Sequence, residues 1–314
     1  MKVSHLLPCL AAGLALAACR DEGPTFVSTG PQAYVRFVNA SPDSPLVTAR
    51  FIDQVENMLP WDRLGFRGNS GNYIAVNAGS RHLRVFLAGQ SRNATTIDSA
   101  STVLLDTTGI TLQPQTYYTF VMTGRVLPAR GTAPNNARVI VFTDTLPAAS
   151  SIADTSILVR AYHMAEGTGP VDVVLNKSVV VPADTLATPP RPTAVTTDSA
   201  VAATFSNLAF GNRTAYARVG RVRPTDTLNL YRATVRPAGT TTNLISVRPN
   251  FPGQPFTAAS LAGPALDPVA GVRQGRSVLS LVVFPAGIAG TPGRVTATAA
   301  PTVDFLRDQS PPRP

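Results

Sequence analysis

The sequence predicts an all-β protein made of two tandem β-sandwich domains. Short β-branched and aromatic runs recur about every ten residues and are separated by turn residues, which is typical of a sandwich. The chain contains 28 proline and 23 glycine residues among 314, and this composition disfavours long helices. Much of the strand order in the first half recurs in the second, which indicates two copies of one unit.

The first copy contains short predicted strands with a clear inward face. One strand ends in the turn signal Ser41-Pro42-Asp43-Ser44-Pro45, whose residue types favour tight turns. Alternation along a later strand places Leu83 and Val85 on the core side, so His82 is predicted to face solvent. The main predicted strands are 34–38, 47–52, 73–76, 82–87, 117–123 and 138–142.

The second copy is recognised from matching runs. Val35-Arg36-Phe37-Val38-Asn39-Ala40 matches Val159-Arg160-Ala161-Tyr162-His163-Met164. Leu64-Gly65-Phe66 followed by Tyr73-Ile74-Ala75-Val76 matches Leu208-Ala209-Phe210 followed by Tyr216-Ala217-Arg218-Val219. Core packing of alternating apolar residues accounts for these echoes. The run 278–284 corresponds to the strand that begins at Tyr117, and a final strand is predicted near 294–298.

Two stretches of the second copy are predicted to be inserted loops. They span 177–204, which is rich in proline, threonine and alanine, and about 235–271. Long loops without secondary structure are uncommon in compact domains and are either loosely packed or functional. Both alternatives stay open here, and the tail 301–314 is predicted to be disordered.

An apolar leader ends in Leu16-Ala17-Ala18-Cys19. It carries a basic residue near its start and small residues at its end, as signal peptides do. Small residues followed by cysteine resemble the lipobox of bacterial lipoproteins, which implies cleavage before Cys19 and acylation of that residue. A membrane-spanning helix needs about 20 apolar residues, more than this leader offers, and a soluble signal peptide does not require the cysteine.

The residue after the cysteine bears on the membrane. Aspartate at that position retains some lipoproteins at the inner membrane, whereas Arg20 stands here. The resemblance therefore implies the outer membrane rather than the inner, with either the periplasmic or the surface face. We expect a signal peptide at 1–18, a lipidated tether at 19–32, sandwich domains at 33–146 and 157–300, and the tail at 301–314.

Cysteine count and charge limit the classes of function. The other cysteine, Cys9, lies in the leader, so the mature chain has no pair to form a disulfide and no cysteine metal site. The net charge is +9, but the arginines are scattered rather than concentrated along one face as nucleic-acid binding requires. The densest group is Arg213, Arg218, Arg221 and Arg223, and a basic surface facing anionic lipid or polysaccharide stays an alternative.

The two copies resemble a bacterial family catalogued as domain of unknown function 4397. Its opening signature has the form V-R-x-x-H-A-S-P-D-A-P, and this chain has V-R-F-V-N-A-S-P-D-S-P-L-V from Val35 to Val47. The second copy has V-R-A-Y-H-M-A-E from Val159 to Glu166, which keeps His163 but loses the Ser-Pro-Asp turn. The resemblance implies immunoglobulin-like sandwiches on secreted or anchored envelope proteins, and no known chemistry.

The sequence does not assemble a catalytic or metal-binding motif. The two histidines after the leader are His82 and His163, and the patterns G-x-S-x-G, H-E-x-x-H and G-x-x-x-x-G-K do not occur. His163 is predicted to brace a turn by a hydrogen bond, a role that Asn39 plays in the first copy. Because asparagine does not titrate, this substitution argues against proton transfer. We therefore predict no enzyme activity, no cofactor and no metal site.

Trp61 is the only tryptophan. Buried, it would cap the first sandwich; exposed, it would stack on a sugar or a protein, with Tyr73 as a second candidate ligand contact. The sequence thus predicts a non-catalytic envelope lipoprotein for binding, adhesion or scaffolding, with a surface carbohydrate-binding module as the alternative. Its expected partners are the membrane, through lipid on Cys19, and an envelope polysaccharide or surface protein, but no nucleic acid.

Overall fold

A computed structural model describes most of the chain that follows the predicted tether. The described residues are 30–54, 60–89, 101–127, 136–181, 183, 185–186, 188–190, 195–222, 230–260, 264–288 and 300–313. Cys19 and most of the predicted tether lie outside them. Within these ranges, no helix has the length and apolar character needed to cross a membrane.

The first sandwich contains eight strands in two four-stranded sheets. One sheet has the order β4-β1-β7-β8 and the other β3-β2-β5-β6. Strands β1 and β7 run parallel, and the other neighbours in both sheets are antiparallel. The strands are β1 (Gln32–Asn39), β2 (Val47–Phe51), β3 (Trp61–Leu64), β4 (Ile74–Asn77), β5 (Gly79–Leu87), β6 (Val103–Leu112), β7 (Tyr117–Thr123) and β8 (Arg138–Asp144).

The second sandwich has the same strand order. Its sheets read β12-β9-β15-β16 and β11-β10-β13-β14, and β9 and β15 form the parallel pair. A short 3-10 turn, Ala149–Ser151, lies between the two sandwiches. The strands are β9 (Ser156–His163), β10 (Val171–Val181), β11 (Val195–Leu208), β12 (Ala217–Gly220), β13 (Leu230–Pro237), β14 (Ile245–Val247), β15 (Val278–Phe284) and β16 (Thr302–Gln309). The predicted all-β sandwich class is confirmed.

The sandwiches pack face to face and form four layers. Phe37 on the inner face of β1 belongs to the core of the first sandwich, whereas Val38 on its outer face belongs to a separate core shared by both sandwiches. Successive strand residues point to opposite faces, so the β1–β7 sheet lies between two cores. The shared core consists of Val38, Ala40, Val121, Tyr162, Met164, Val282, Phe284 and Leu306.

Burial on both faces explains the composition of the central strands. In β7 and β9 every residue after the first is buried, and in β15 every residue is buried. Such strands read as nearly continuous apolar runs rather than alternating ones, as in sheets covered on both sides. Polar residues in these strands therefore need partners inside the protein.

Several expectations for the second copy were wrong. The predicted disordered tail contains β16, which pairs with β15 along its length and buries Val303 and Phe305 in the second core. The backbone hydrogen bonds to β15 and the burial of these side chains hold this segment in an ordered strand. The boundary at residue 300 therefore excludes an essential strand, and the strand predicted near 294–298 lies outside the described residues.

The predicted loops also contain strands. The stretch 177–204 supplies the end of β10 and most of β11, which pair as a hairpin interrupted by register shifts. Threonine, valine and alanine in this stretch fit a pleated edge strand. The stretch 235–271 contains the end of β13, all of β14 and the isolated bridges Gln254–Val269 and Thr257–Leu266.

Candidate functional site

Two crossed ion pairs join the sandwiches. Arg36 Nη1 lies 2.6 Å from Asp308 Oδ1, and Arg160 Nη1 lies 2.9 Å from Asp144 Oδ1. Each pair therefore takes its arginine from one sandwich and its aspartate from the other. The arginines are only 1% and 2% exposed. We call these four residues the arginine–aspartate clamp.

Each arginine also bonds within its own sandwich. Arg36 Nε donates to Thr119 Oγ1 at 2.8 Å, and Arg160 Nε donates to Ser280 Oγ at 2.9 Å. Thr119 and Ser280 occupy matching places on β7 and β15. The hydroxyl of Ser280 in turn donates to Asp308 Oδ2 at 2.6 Å, and that of Thr119 donates to Asp144 Oδ2.

A tyrosine completes each half of the arrangement. Tyr73 Oη donates to Asp144 Oδ2 at 2.9 Å, and Tyr216 Oη donates to Asp308 Oδ2 at 2.5 Å. The guanidinium of Arg36 lies 4.8 Å from the ring centroid of Tyr73, and that of Arg160 lies 4.5 Å from the centroid of Tyr216. These are cation–π distances. Each tyrosine therefore donates a hydrogen bond to an aspartate and also packs its ring against an arginine.

Electrostatics keep Arg36, Arg160 and Asp308 ionised. Burial favours the neutral forms, but Arg36 and then Arg160 hold the pKa of Asp308 below its usual value. Burial likewise opposes ionised arginine, yet Asp308 leaves the pKa of Arg36 and of Arg160 raised. Burial raises the pKa of Tyr73 and of Tyr216 well above the usual value. Charged arginine and aspartate beside neutral tyrosine are thus the stable forms.

The two halves differ around Asp144. Tyr162 Oη donates to Asp144 Oδ1 at 3.0 Å, and Arg213 forms an ion pair with the same oxygen. The side chain of Arg213 is 26% exposed, which places it at the solvent edge of the clamp. Arg213 is therefore the partly exposed partner of Asp144, whose own side chain is fully buried.

The signature turn of the first sandwich is a structural brace. Asp43 accepts backbone hydrogen bonds from Val126 at 2.9 Å and Leu127 at 3.2 Å. Ser41 Oγ donates to the carbonyl of Gly124 at 2.6 Å. These bonds tie the turn after β1 to the chain that leaves β7, which explains the Ser-Pro-Asp pattern without any ligand.

Asn39 and His163 perform the same local task. Asn39 Oδ1 accepts from the backbone of Ser41 at 3.2 Å, and His163 Nδ1 accepts from the backbone of Ala165 at 3.3 Å. His163 Nε2 donates to the carbonyl of Gly169 at 3.1 Å. Burial lowers the pKa of His163 despite its backbone hydrogen bonds, so the imidazole is neutral. The predicted turn-bracing role is confirmed.

The predicted ligand contacts do not form a binding surface. Trp61 is 1% exposed and lies in the first core, with ring centroids 5.9 Å from Phe37 and 5.5 Å from Phe51. Tyr73 is half-buried and engaged by Asp144 and Arg36. Neither ring therefore presents a free face, and the carbohydrate alternative loses the residues on which it depended.

The other sequence candidates occupy separate places. His82 is half-buried on the face of β5 that points away from the core, where it contacts Asp106 beside Arg84. Across the described ranges, no group of three or more histidine, cysteine, aspartate or glutamate side chains is arranged to hold a metal ion. The arginines and tyrosines of the clamp lie in the matching runs of the two copies, but a strand pattern does not show that two outer faces meet.

Comparison with solved structures returns proteins named as adhesins and fimbrial proteins, all of very low similarity. A candidate adhesin from Bacteroides ovatus is 12% identical, with 81% of this chain and 88% of that chain covered and a TM-score of 0.23. The fimbrilin of Porphyromonas gingivalis W83 is 10% identical, with coverage of 90% and 99% and a TM-score of 0.20. The tip fimbrial protein Mfa3 of Porphyromonas gingivalis is also 10% identical, with coverage of 88% and 99% and a TM-score of 0.19.

Comparison with known sequences identifies one family. No curated protein matches the chain. Residues 33–183 match the model of the family described as domain of unknown function (DUF4397). This match extends over the first sandwich and β9 and β10 of the second, so the first sandwich as a whole is similar to that family.

Proposed function

We propose that this protein is a non-catalytic, lipid-anchored protein of the cell envelope, in which two copies of one sandwich domain form a rigid body for binding, adhesion or scaffolding. The second sandwich is, in this proposal, a divergent copy of the first. The identical strand order supports it, and so do the matched positions of Arg36 with Arg160 and of Tyr73 with Tyr216.

The arginine–aspartate clamp is the observation that carries the proposal. Buried ion pairs add little stability compared with apolar residues, but removal of one partner is costly because it leaves an uncompensated buried charge. Arg36 and Arg160 therefore select one docking of the two sandwiches. The ionisable groups buried here are occupied by one another, which fits a scaffold better than a reaction centre.

The anchor is the second part of the proposal. Acylation of Cys19 would hold the protein at a membrane, because two or more acyl chains bind stably whereas one binds marginally. The tether from Arg20 to Gln32 would reach at most about 45 Å when fully extended. The outer membrane is the proposed location because Arg20 differs from the inner-membrane retention signal.

Fractionation of cells that express Cys19→Ala tests the anchor. We expect the variant to be released from the membrane or to keep its leader, whereas Cys9→Ala, the matched control, is processed and retained. Membrane retention of Cys19→Ala at the mature size would contradict the anchor. Protease treatment of intact cells then separates the surface from the periplasmic face.

The non-catalytic part is tested with the purified protein. We expect no turnover of ester, glycoside or peptide substrates between about pH 4 and pH 10, the usual pKa values of aspartate and tyrosine. Hydrolysis that disappears in a clamp variant that still folds would contradict the proposal, because it would assign chemistry to those residues.

A further inference from the structure

The chain enters the four-layer body at a defined end. Gly30 and Pro31 lead directly into β1, so the predicted tether reaches the N-terminal end of that strand. Strand β9 runs in the same direction, because the C-terminal sides of both strands meet. There Ile288 N donates to Pro42 O at 3.0 Å, and Arg138 pairs with Glu166 at 2.8 Å. The N-terminal end of β9 therefore lies at the tether end of the body.

Four arginines gather at this end of the second sandwich. Arg218 Nη2 donates to the carbonyl of Ser151 at 3.1 Å, and the backbone of Arg221 donates to Thr155 at 2.9 Å. Both acceptors lie in the segment that leads into β9. We call the group the arginine end, and it comprises Arg218, Arg221, Arg273 and Arg276.

The remaining two arginines come from the turn before β15. The backbone of Arg276 donates to Ser156 at 2.9 Å, and Arg221 Nη1 lies 3.4 Å from the carbonyl of Arg273. Gly275 allows this turn to lie close to the segment before β9, since a Cβ there would lie 1.8 Å from the carbonyl oxygen of Asp154. The turn is therefore held against the segment that carries Arg218 and Arg221.

The charge of this cluster is unbalanced. Asp154 contributes the carboxylate at this end and pairs with Arg276 at 2.8 Å, with its own side chain 74% exposed. Arg218 is exposed, and Arg221, Arg273 and Arg276 are partly exposed. The guanidinium groups of Arg218, Arg221 and Arg276 thus outnumber the carboxylate of Asp154 in the described part of this end. Such a concentration is a local exception to the scattered arginines elsewhere.

We propose that the arginine end rests on the anionic headgroups of the membrane to which the chain is tethered. The inference rests on the proposed lipid anchor, because the tether and the arginines share one end of the body. A basic patch near an anchored acyl chain is the second signal that strengthens membrane attachment. Each arginine near an anionic surface favours binding about fivefold, and the attraction acts within roughly a Debye length. The orientation leaves the signature turns at the end away from the membrane.

Vesicle binding by unacylated protein tests this surface separately from the anchor. The protein used is the chain from residue 20, which contains every residue that the structure describes. Its partitioning is measured on phosphatidylethanolamine vesicles with and without phosphatidylglycerol. We expect binding that requires phosphatidylglycerol and weakens with added salt. The double variant Arg218→Gln/Arg221→Gln should bind about 25-fold more weakly.

A matched control uses two exposed arginines near the opposite end. Arg63→Gln/Arg125→Gln removes the same charge and should bind as the unmodified protein does. Equal losses in both double variants would overturn the proposal, as would binding without phosphatidylglycerol or no binding at low salt. Duplex DNA that captures the protein as tightly as the vesicles would assign the patch to nucleic acid instead. Unaltered thermal unfolding of both variants confirms that they fold.

The vesicle experiment and the acylation of Cys19 test the arginine end and the lipid anchor separately. If Cys19 is not acylated in cells but vesicle binding depends on Arg218 and Arg221, the anchor is wrong and the arginine end stands. If Cys19 is acylated and vesicle binding ignores these arginines, the anchor stands and the arginine end is wrong.

Discussion

Arg36 of the first sandwich and Asp308 of the second form a buried ion pair of 2.6 Å across the interface between them. Asp308 lies on β16 and Arg36 lies on β1, the last and the first of the described strands. The pair therefore links two strands that are far apart in sequence, and Arg160 with Asp144 repeats the contact in the opposite sense. Relative motion of the sandwiches would break both pairs at once.

Removal of Asp308 should strongly destabilise the protein. Asp308→Ala leaves Arg36 and Arg160 as buried cations without this carboxylate, and loss of one partner of a buried pair costs about 3–5 kcal/mol. Urea denaturation measures the change in the free energy of unfolding. The control is Asp154→Ala, whose exposed pair with Arg276 is expected to be worth less than about 1 kcal/mol. Similar urea denaturation midpoints for the two variants would show that the buried pair of Asp308 contributes no more to stability than the exposed pair of Asp154.

The two clamp tyrosines should respond alike. Tyr73→Phe and Tyr216→Phe each remove one hydrogen bond to a buried carboxylate and keep the ring beneath an arginine. Each should lose about 1.5–3 kcal/mol of stability, the range for bonds to charged groups. Thermal or chemical unfolding of both variants is the measurement. An effect confined to one of them would contradict equivalent roles for Tyr73 and Tyr216.

His163 should be replaceable by asparagine. His163→Asn restores the acceptor that Asn39 provides in the first sandwich, whereas His163→Ala leaves the backbone of Ala165 without it. We expect a loss of about 1–3 kcal/mol for alanine and a smaller loss for asparagine. An asparagine variant as unstable as the alanine variant would show that ring packing against Phe210, rather than the hydrogen bond, determines the effect.

The same residue predicts a pH dependence. Burial lowers the pKa of His163 below the usual 6.5, so the unfolded chain binds the proton more readily than the folded chain. Stability from this group is complete above pH 6.5 and is lost as the pH falls from there towards the folded pKa. Denaturation midpoints between pH 7 and 5 should decline in the unmodified protein and decline less in His163→Asn. Parallel pH profiles would contradict this assignment.

Truncation tests the last strand. A chain that ends at residue 300 lacks β16 and exposes the edge of β15 together with the second core, so we expect it to aggregate or unfold. A chain that ends at residue 309 keeps Val303, Phe305 and Asp308 and should remain folded. Circular dichroism and size-exclusion chromatography distinguish the two. A well-folded monomer ending at residue 300 would show that β16 is dispensable.

The sequence did not determine whether Trp61 and Tyr73 are buried or contact a ligand. The lone tryptophan permitted either a core or a ligand role, because residue type alone does not determine exposure. The structure buries Trp61 between Phe37 and Phe51 and uses Tyr73 in the clamp. For His163, by contrast, its exchange with Asn39 in a matching run was sufficient to predict a turn-bracing hydrogen bond.

Strand class, turn positions and the matching runs followed from the sequence by itself, because they depend on alternation and turn chemistry within a few residues. The tertiary structure alone decided that the β1–β7 and β9–β15 sheets lie against each other, that Arg36 reaches Asp308, and that β16 completes the second core. Alternation shows that a strand has two faces, but it does not show what covers the outer one. Contacts between distant strands depend on the docking of whole sheets, which no local pattern records.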